Sequence, residues 1–312
     1  NMTGSNSFWF ANPSSGFYNG AITKGLRFPE KFGGGYLSRT FDNNTPGNDW
    51  TFSTWLKRSV VAQWSAIFYS SSTGNPYYQS GLSYNSTDQL RYYHGSNTNV
   101  APGGTHNVVA STASYRDLSA WYHVLMQRDD DGNSVLYVNG TQVASASSSS
   151  NYRYINGTTY PHYIGNYTYQ SNPGGNFHGY MAETHFVDNA LVAPTVFAET
   201  KEGVWIPKED PDVTYGDNGF RLQYLQSGTS QNASGIGADT SGNNNHFAVT
   251  SLTAHDVVPD NPENNFCTMS PLINGYSTNI THTQGGLGVA GSSDYRNTLG
   301  TFAVGSGKWY WK

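Results

Sequence analysis

The chain has 312 residues, of which 16 are Lys or Arg and 21 are Asp or Glu, so 12% carry charge and the formal net charge is −5. Aromatics make up 15%, with 23 Tyr, 15 Phe and 8 Trp, and Gly supplies 35 residues. This make-up describes a turn-rich β protein with an uncharged polar surface. It argues against nucleic acid, whose phosphates demand a basic face, and its single cysteine, Cys267, excludes an intrachain disulfide or a Cys-rich metal site.

No apolar run approaches the ~20 residues of a membrane helix, so membrane insertion is not expected. No cationic stretch followed by an apolar one opens the chain, as a signal peptide would. Residues 1–25 are rich in Asn, Ser, Gly and Phe and read as an extended arm, with Phe8, Trp9 and Phe10 free to dock elsewhere. From Leu26 strand signals recur. Thr51–Leu56 alternates, with Phe52 and Leu56 on one face and Trp55 on the other. Short strands follow at 65–70, 89–93 and 107–110, then a longer one at Trp121–Arg128. Asp131-Gly132 predicts a hairpin into Ser134–Asn139, because both residues accept the positive φ of a tight turn, and Asn139-Gly140 repeats the device. Strands at 162–165 and 177–187 come next, then one short helical candidate at Pro194–Glu199, with proline at its first turn.

Lys201–Asp212 is charged and proline-containing, and 201–214 reads as a linker. Two further strands, Gly219–Leu225 and Asn245–Thr250, flank a Gly/Ser/Asn loop. Residues 251–290 read as an irregular linker. The aromatic run Lys308–Lys312 breaks off as a strand would whose sheet lies further on, so 291–312 read as the start of a second β domain.

The ordered set Thr51–Arg58, Trp121-Tyr-His-Val124, Arg128-Asp129, Leu136-Tyr-Val-Asn-Gly140, Ile164-Gly165 and Gly179–Asp188 resembles the concanavalin A-like, laminin G-like jelly rolls over roughly 26–200. The segments Gly203–Lys208, Tyr215–Phe220, Asp239–Asn243 and Asp256–Pro271 are similar to the tract that follows this jelly roll in tail-fibre-like structural proteins of marine bacteriophages. Thr301–Trp311 resembles the opening strand of a SPRY-type β-sandwich, which implies a longer polypeptide. In many laminin G-like domains an Asp-x-Ser-Gly-Asn turn comes early; here it falls late, at Asp239–Asn243. Two lone strands bury too little to stand alone. The expected fold is therefore all-β: a concanavalin A-like jelly-roll sandwich of two antiparallel sheets spanning 26–250, permuted so that residues 215–250 complete the sheets.

Three chemistries are weighed against plainer roles. Jelly-roll glucanases need two carboxylates ~5–9 Å apart. The nearest constellation here is Glu183 and His185, which share a strand face, with Asp188 beyond; the Glu-x-Asp-x-x-Glu pattern of those enzymes is absent. No catalytic residue is assigned. Jelly rolls of this class often carry one structural calcium, and the permutation would let Asp239, Asn243 and Glu183 converge as its ligands. Asp129–Asp131 is a second acidic cluster, which serves a hairpin tip equally well. Sugars are held by aromatic faces with amide and backbone groups around them. Tyr77, Tyr78, Tyr92, Tyr93, His94, Tyr167 and Tyr169 lie in or beside polar loops and form the candidate glycan or interface set, with Tyr160 and His162 nearby. Each suits a packed core or a subunit interface as well. Trp55, Trp121 and Phe186 read as core, and His123 as a satisfied sheet residue.

The resemblance implies a non-enzymatic virion component, assembled in the host cytoplasm and exposed when mature. It would sit in a phage tail fibre or similar appendage, contact host-surface glycan and form a homo-oligomer. The alternative is a decoration, filament or capsid-assembly protein that binds only neighbouring virion subunits.

Overall fold

The computed structural model describes residues 17–29, 34–43, 49–72, 77–97, 107–147, 154–169, 172–173, 175–272, 280–291 and 297–308. Strands run in chain order as β1 (Gly25–Phe28), β2 (Tyr36–Arg39), β3 (Trp50–Arg58), β4 (Ser65–Ser71), β5 (Tyr77–Tyr84), β6 (Gln89–Asn97), β7 (Asn107–Ser114), β8 (Tyr122–Arg128), β9 (Asn133–Val138), β10 (Thr141–Ser147) and β11 (His162–Ile164). A two-stranded ribbon, β12 (Thr168–Tyr169) and β13 (Asn172–Pro173), precedes the long β14 (Gly179–Asp188). The one-turn helix α1 (Pro194–Phe197), the hairpin β15 (Ala198–Lys201) and β16 (Val204–Pro207), then β17 (Phe220–Leu222), β18 (Ala248–Thr250) and β19 (Val257–Val258) follow. Two small ribbons end the described chain: β20 (Met269–Ser270) with β23 (Leu299–Gly300), and β21 (Ile280–Thr283) with β22 (Gly288–Gly291).

Two antiparallel sheets face each other. The first runs β10-β9-β8-β3-β14-β1-β19, and β17 also pairs with β14. The second runs β18-β2-β11-β4-β5-β6-β7. β17 aligns Leu222 with Thr184 and Phe220 with Phe186, while β18 aligns Val249 with Leu37 of β2. Residues 215–250 therefore return to both sheets, as the late Asp-x-Ser-Gly-Asn turn predicts.

The alternation works as read. Phe52 and Leu56 enter the inter-sheet core with Phe68, Tyr92, Phe186 and Phe220. Phe52 stacks on Phe68 with ring centroids 4.6 Å apart. Rings fill this core because the chain has few aliphatics, and each contributes ~150–250 Å² of buried surface. Asn139 and Gly140, at φ 47° and 76°, close the β9–β10 hairpin; Gly132, at 89°, helps close β8–β9.

Several boundaries shift. The stretch read as a linker from 201 begins inside the β15–β16 hairpin, which lies on the outer face of the first sheet. That face carries Trp55, Trp121 and Tyr180, which cluster with Ala198 and Trp205. Trp55 and Trp121 are thus buried outside the main core, and β3 is buried along its whole length. The stretch from 251, read as an irregular linker, is bound to the same sheet. β19 pairs with β1, Asp256 bonds Arg27, Lys57 bonds Asp260, and Glu263 accepts from the amides of Ala21 and Ile22. Residue 291 closes a ribbon, and β23 returns to β20. Phe8, Trp9, Phe10 and the terminal aromatics 309–311 lie outside the described residues.

Candidate functional site

The second sheet turns one face to the core and the other outward. Phe68, Leu82, Tyr92 and Val109 align across β4, β5, β6 and β7 on the core side. The next register, Tyr69, Gly81 and Tyr93, points outward. Around this row lies a cleft of about 270 Å³ lined by Trp64, Tyr69, Gln79, Arg91, Tyr93 and Tyr167.

Its rings are fixed by one another. Tyr167 stacks on Tyr69 at 5.2 Å between centroids. The Arg91 guanidinium lies 3.8 Å over the Trp64 ring and 5.5 Å from that of Tyr93. Gln79 donates to the Tyr93 hydroxyl at 3.2 Å, and the Tyr69 hydroxyl donates to Ser83 Oγ at 3.1 Å. Burial pushes the Tyr69 hydroxyl up to about 12, so it remains a neutral donor. Burial also pulls the Arg91 guanidinium below its ordinary value. Trp64 is 42% exposed and forms the open wall. Such a cleft offers ring faces for C–H patches, with an amide and a guanidinium for hydroxyl or anionic groups.

The candidates Tyr77, Tyr78, Tyr92, Tyr93, His94, Tyr167 and Tyr169 divide. Tyr93 and Tyr167 join the cleft. Tyr92 does not: it is 2% exposed and packs on Trp50 in the core, 5.5 Å between centroids. His94 is buried on the same face, 5.9 Å from Tyr92. Period-2 alternation forces both inward, which corrects their grouping with Tyr93. Tyr78 is half-buried and stacks on Tyr160 at 5.8 Å, with Tyr154 beside it, away from the cleft. Tyr77 and Tyr169 begin β5 and end β12; their side chains lie outside the described residues. His162 is buried against Phe41. Trp64, Tyr69, Gln79 and Arg91 escaped the sequence reading. The signals were present: Arg91 shares a strand face with Tyr93, and Gly81 interrupts a strand.

The proposed calcium ligands meet donors rather than a cation-sized gap. The Asp239 carboxylate accepts from the amides of Arg221, Ser241 and Asn245 at 2.8–2.9 Å and from Ser241 Oγ. Asn243 turns its amide nitrogen, not its oxygen, to the carbonyls of Gly216 and Gly219. Glu183 accepts from Arg221 Nε at 3.0 Å and Gln223 Nε2 at 3.1 Å, and lies 3.2 Å from His185 Nε2. Burial pushes its carboxyl up, but the bonds from His185 and the Arg221 charge outweigh this and hold it below the usual value. Asp239, Asn243 and Glu183 do not fit a calcium cradle: an ion there would meet the Arg221 guanidinium. Asp129 bonds Asn133 across its hairpin. Among the described residues no group of three His, Cys, Asp or Glu is placed to hold a metal.

Glu183 sits at φ 44°, in a β-bulge where β14 slips against β3 between Ala182 and His185. The bulge turns both Glu183 and His185 outward, under the hairpin. Asp188 is used elsewhere, accepting from Asn156 Nδ2 and the Asn218 amide. His123 Nδ1 accepts from Trp205 Nε1 at 3.1 Å, so its Nε2 carries the proton towards Ser53 Oγ at 2.8 Å. A serine that receives a proton bond from histidine is not activated by it.

The sequence model of the concanavalin A-like lectin/glucanases superfamily, in its laminin G-like form, matches residues 32–197. The chain belongs to that superfamily. It is similar to the native heptameric SAP-like pentraxin of Limulus polyphemus, at 18% identity over 55% of this chain and 79% of that one, with a TM-score of 0.41. It is also similar to a putative carbohydrate-binding protein of Bacteroides ovatus, at 20% identity over 74% of this chain and 58% of that one, with a TM-score of 0.48. The full-length tailspike protein 2 of Escherichia coli O157:H7 bacteriophage CAB120 shares 12% identity over 54% of this chain and 23% of its own, with a TM-score of 0.37. No curated protein matches the chain.

Proposed function

We propose that this jelly roll is a glycan-binding module that works by recognition rather than catalysis. The observation that carries it is the cleft on the outer face of the second sheet, where four aromatic side chains surround Gln79 and Arg91. Aromatic walls with few polar groups are the usual composition of a sugar site. The superfamily is that of lectins and glucanases. Glu183 and Asp188 spend their oxygens on internal donors, which favours the lectin side.

The setting we propose is a phage tail fibre or similar virion appendage that meets host-surface glycan. Its support is the sequence resemblance over Gly203–Pro271 and the SPRY-like pattern near residue 301. A glycan array tests the reading. Wild-type protein should bind a restricted set of oligosaccharides, and Trp64→Ala should lose them; a folded sample that binds none refutes it.

One observation favours assembly on protein neighbours as a second reading. Phe266, Met269, Leu272, Leu287, Leu299 and Phe302 are exposed around the small ribbons β20–β23 and β21–β22. A subunit contact would cover them, and light scattering across a concentration series reads it directly.

A further inference from the structure

We infer that the cleft selects a sugar carrying a carboxylate, seated in plane with the Arg91 guanidinium. This rests on the glycan reading and names its ligand class.

Arg91 differs from most of its fellow arginines. Among the described arginines, Arg27, Arg39, Arg58, Arg116 and Arg221 each hold a carboxylate within 3.4 Å. Arg128 bonds the Gly132 carbonyl and Ser134 Oγ. Arg91 has no ion pair among the described residues; the Tyr69 hydroxyl lies against its guanidinium, and its buried Nε has no hydrogen-bond partner. Five of the described arginines face a carboxylate, yet Arg91 is set between the rings of Trp64 and Tyr93 with no anion beside it.

Geometry then narrows the ligand. A guanidinium stacked on a ring has its flat faces occupied, so its remaining N–H groups point sideways, in its own plane. Two parallel N–H bonds in one plane match the two oxygens of a carboxylate. A neutral hydroxyl accepts one such bond and leaves the charge unbalanced. Tyr167, stacked on the buried Tyr69, gives the sugar ring a face to lie on. The rest of the lining is uncharged, so Arg91 sets the sign of the ligand.

The test is a glycan array of matched pairs, hexuronate against hexose and sialylated against desialylated oligosaccharides, followed by titration calorimetry on the best pair. Wild-type protein should prefer the acidic member by about tenfold or more. Arg91→Gln should bring that ratio close to one, and Arg91→Lys, which keeps charge but loses the planar fork, should fall between. Thermal melts of each variant report folding. Equal binding of neutral and acidic partners, or preference for sulfated over carboxylated glycans, overturns the inference and leaves the glycan reading standing. So does an Arg91→Gln protein that melts lower but keeps its acidic preference. Absence of any binding by folded wild-type protein overturns both.

Discussion

The ring of Tyr69 lies across the backbone of Gly81 on the neighbouring strand, filling the space a side chain would need there. That contact sets the floor of the cleft. A methyl group at 81 would drive the ring outward and break its stack on Tyr167. Gly81→Ala should therefore lower stability by about 1–3 kcal/mol, the usual cost of overpacking. It should also weaken glycan binding more than its melting temperature alone would suggest. Calorimetry and thermal denaturation on the same sample separate the two effects.

Tyr92 and Tyr93 are neighbours with opposite tasks. Tyr92→Ala should open a core cavity beside Trp50 and cost about 3–5 kcal/mol, with modest effect on binding by the fraction that remains folded. Tyr93 is 9% exposed, and its truncation should reduce binding by about tenfold or more while leaving most of the stability. Urea denaturation paired with titration checks this. Equal losses in both variants would mean that the cleft does not hold the ligand.

Acid should weaken the fold through buried histidines. Burial pulls His162 down to about 3, and burial followed by the nearby His185 does the same to His123. An unfolded histidine titrates near 6.5. A depressed folded value means that the native state binds fewer protons. Its stabilising share is complete above about pH 6.5 and falls away as pH drops towards 3. Each histidine contributes a slope of about 1.4 kcal/mol per pH unit within that window. His162→Gln should flatten the stability profile between pH 6 and 4 by that one proton, whatever its cost at pH 7. Denaturant titrations at stepped pH measure it.

The Lys57–Asp260 pair fastens the tract after β19 to the first sheet. Both side chains are buried, with Trp121 Nε1 and Asn265 completing the bonds. Burial pulls Lys57 down and pushes Asp260 up, and each partner partly restores the other. Asp260→Ala should strand a buried ammonium and cost about 3–5 kcal/mol. Limited proteolysis should then cut first within 256–267.

Much of this was legible before the fold. The hairpins at Gly132 and Asn139-Gly140, the inward Phe52 and Leu56, and the late return of 215–250 all followed from local backbone chemistry and alternation. The cleft was only half legible. Tyr93 and Tyr167 were named, but Tyr92 and His94 came with them, because composition marks aromatic runs while alternation alone assigns faces. Arg91 shares a strand face with Tyr93 in the sequence, but that alone does not mark a site until Trp64 and Tyr69 are known to lie beside it. The three residues expected to hold calcium do not form a cradle, for a similar reason. A returning strand can bring Asp239 near Glu183, yet Arg221 on that strand lies between them: its amide bonds Asp239 and its guanidinium bonds Glu183.

The order in which the strands are synthesised differs from the order in which they sit. Gly25 pairs with Val258, so β1 meets its last neighbour 233 residues after it is made. At about 5–20 residues per second the wait is on the order of tens of seconds. Throughout that interval Leu26 and Phe28 belong to a strand with an open edge, the geometry that invites pairing with another chain. The segment 32–197 lacks β1, β17, β18 and β19 alike. A nascent or truncated chain ending near 200 is therefore an unsealed sandwich, and the late strands act as its closing seam.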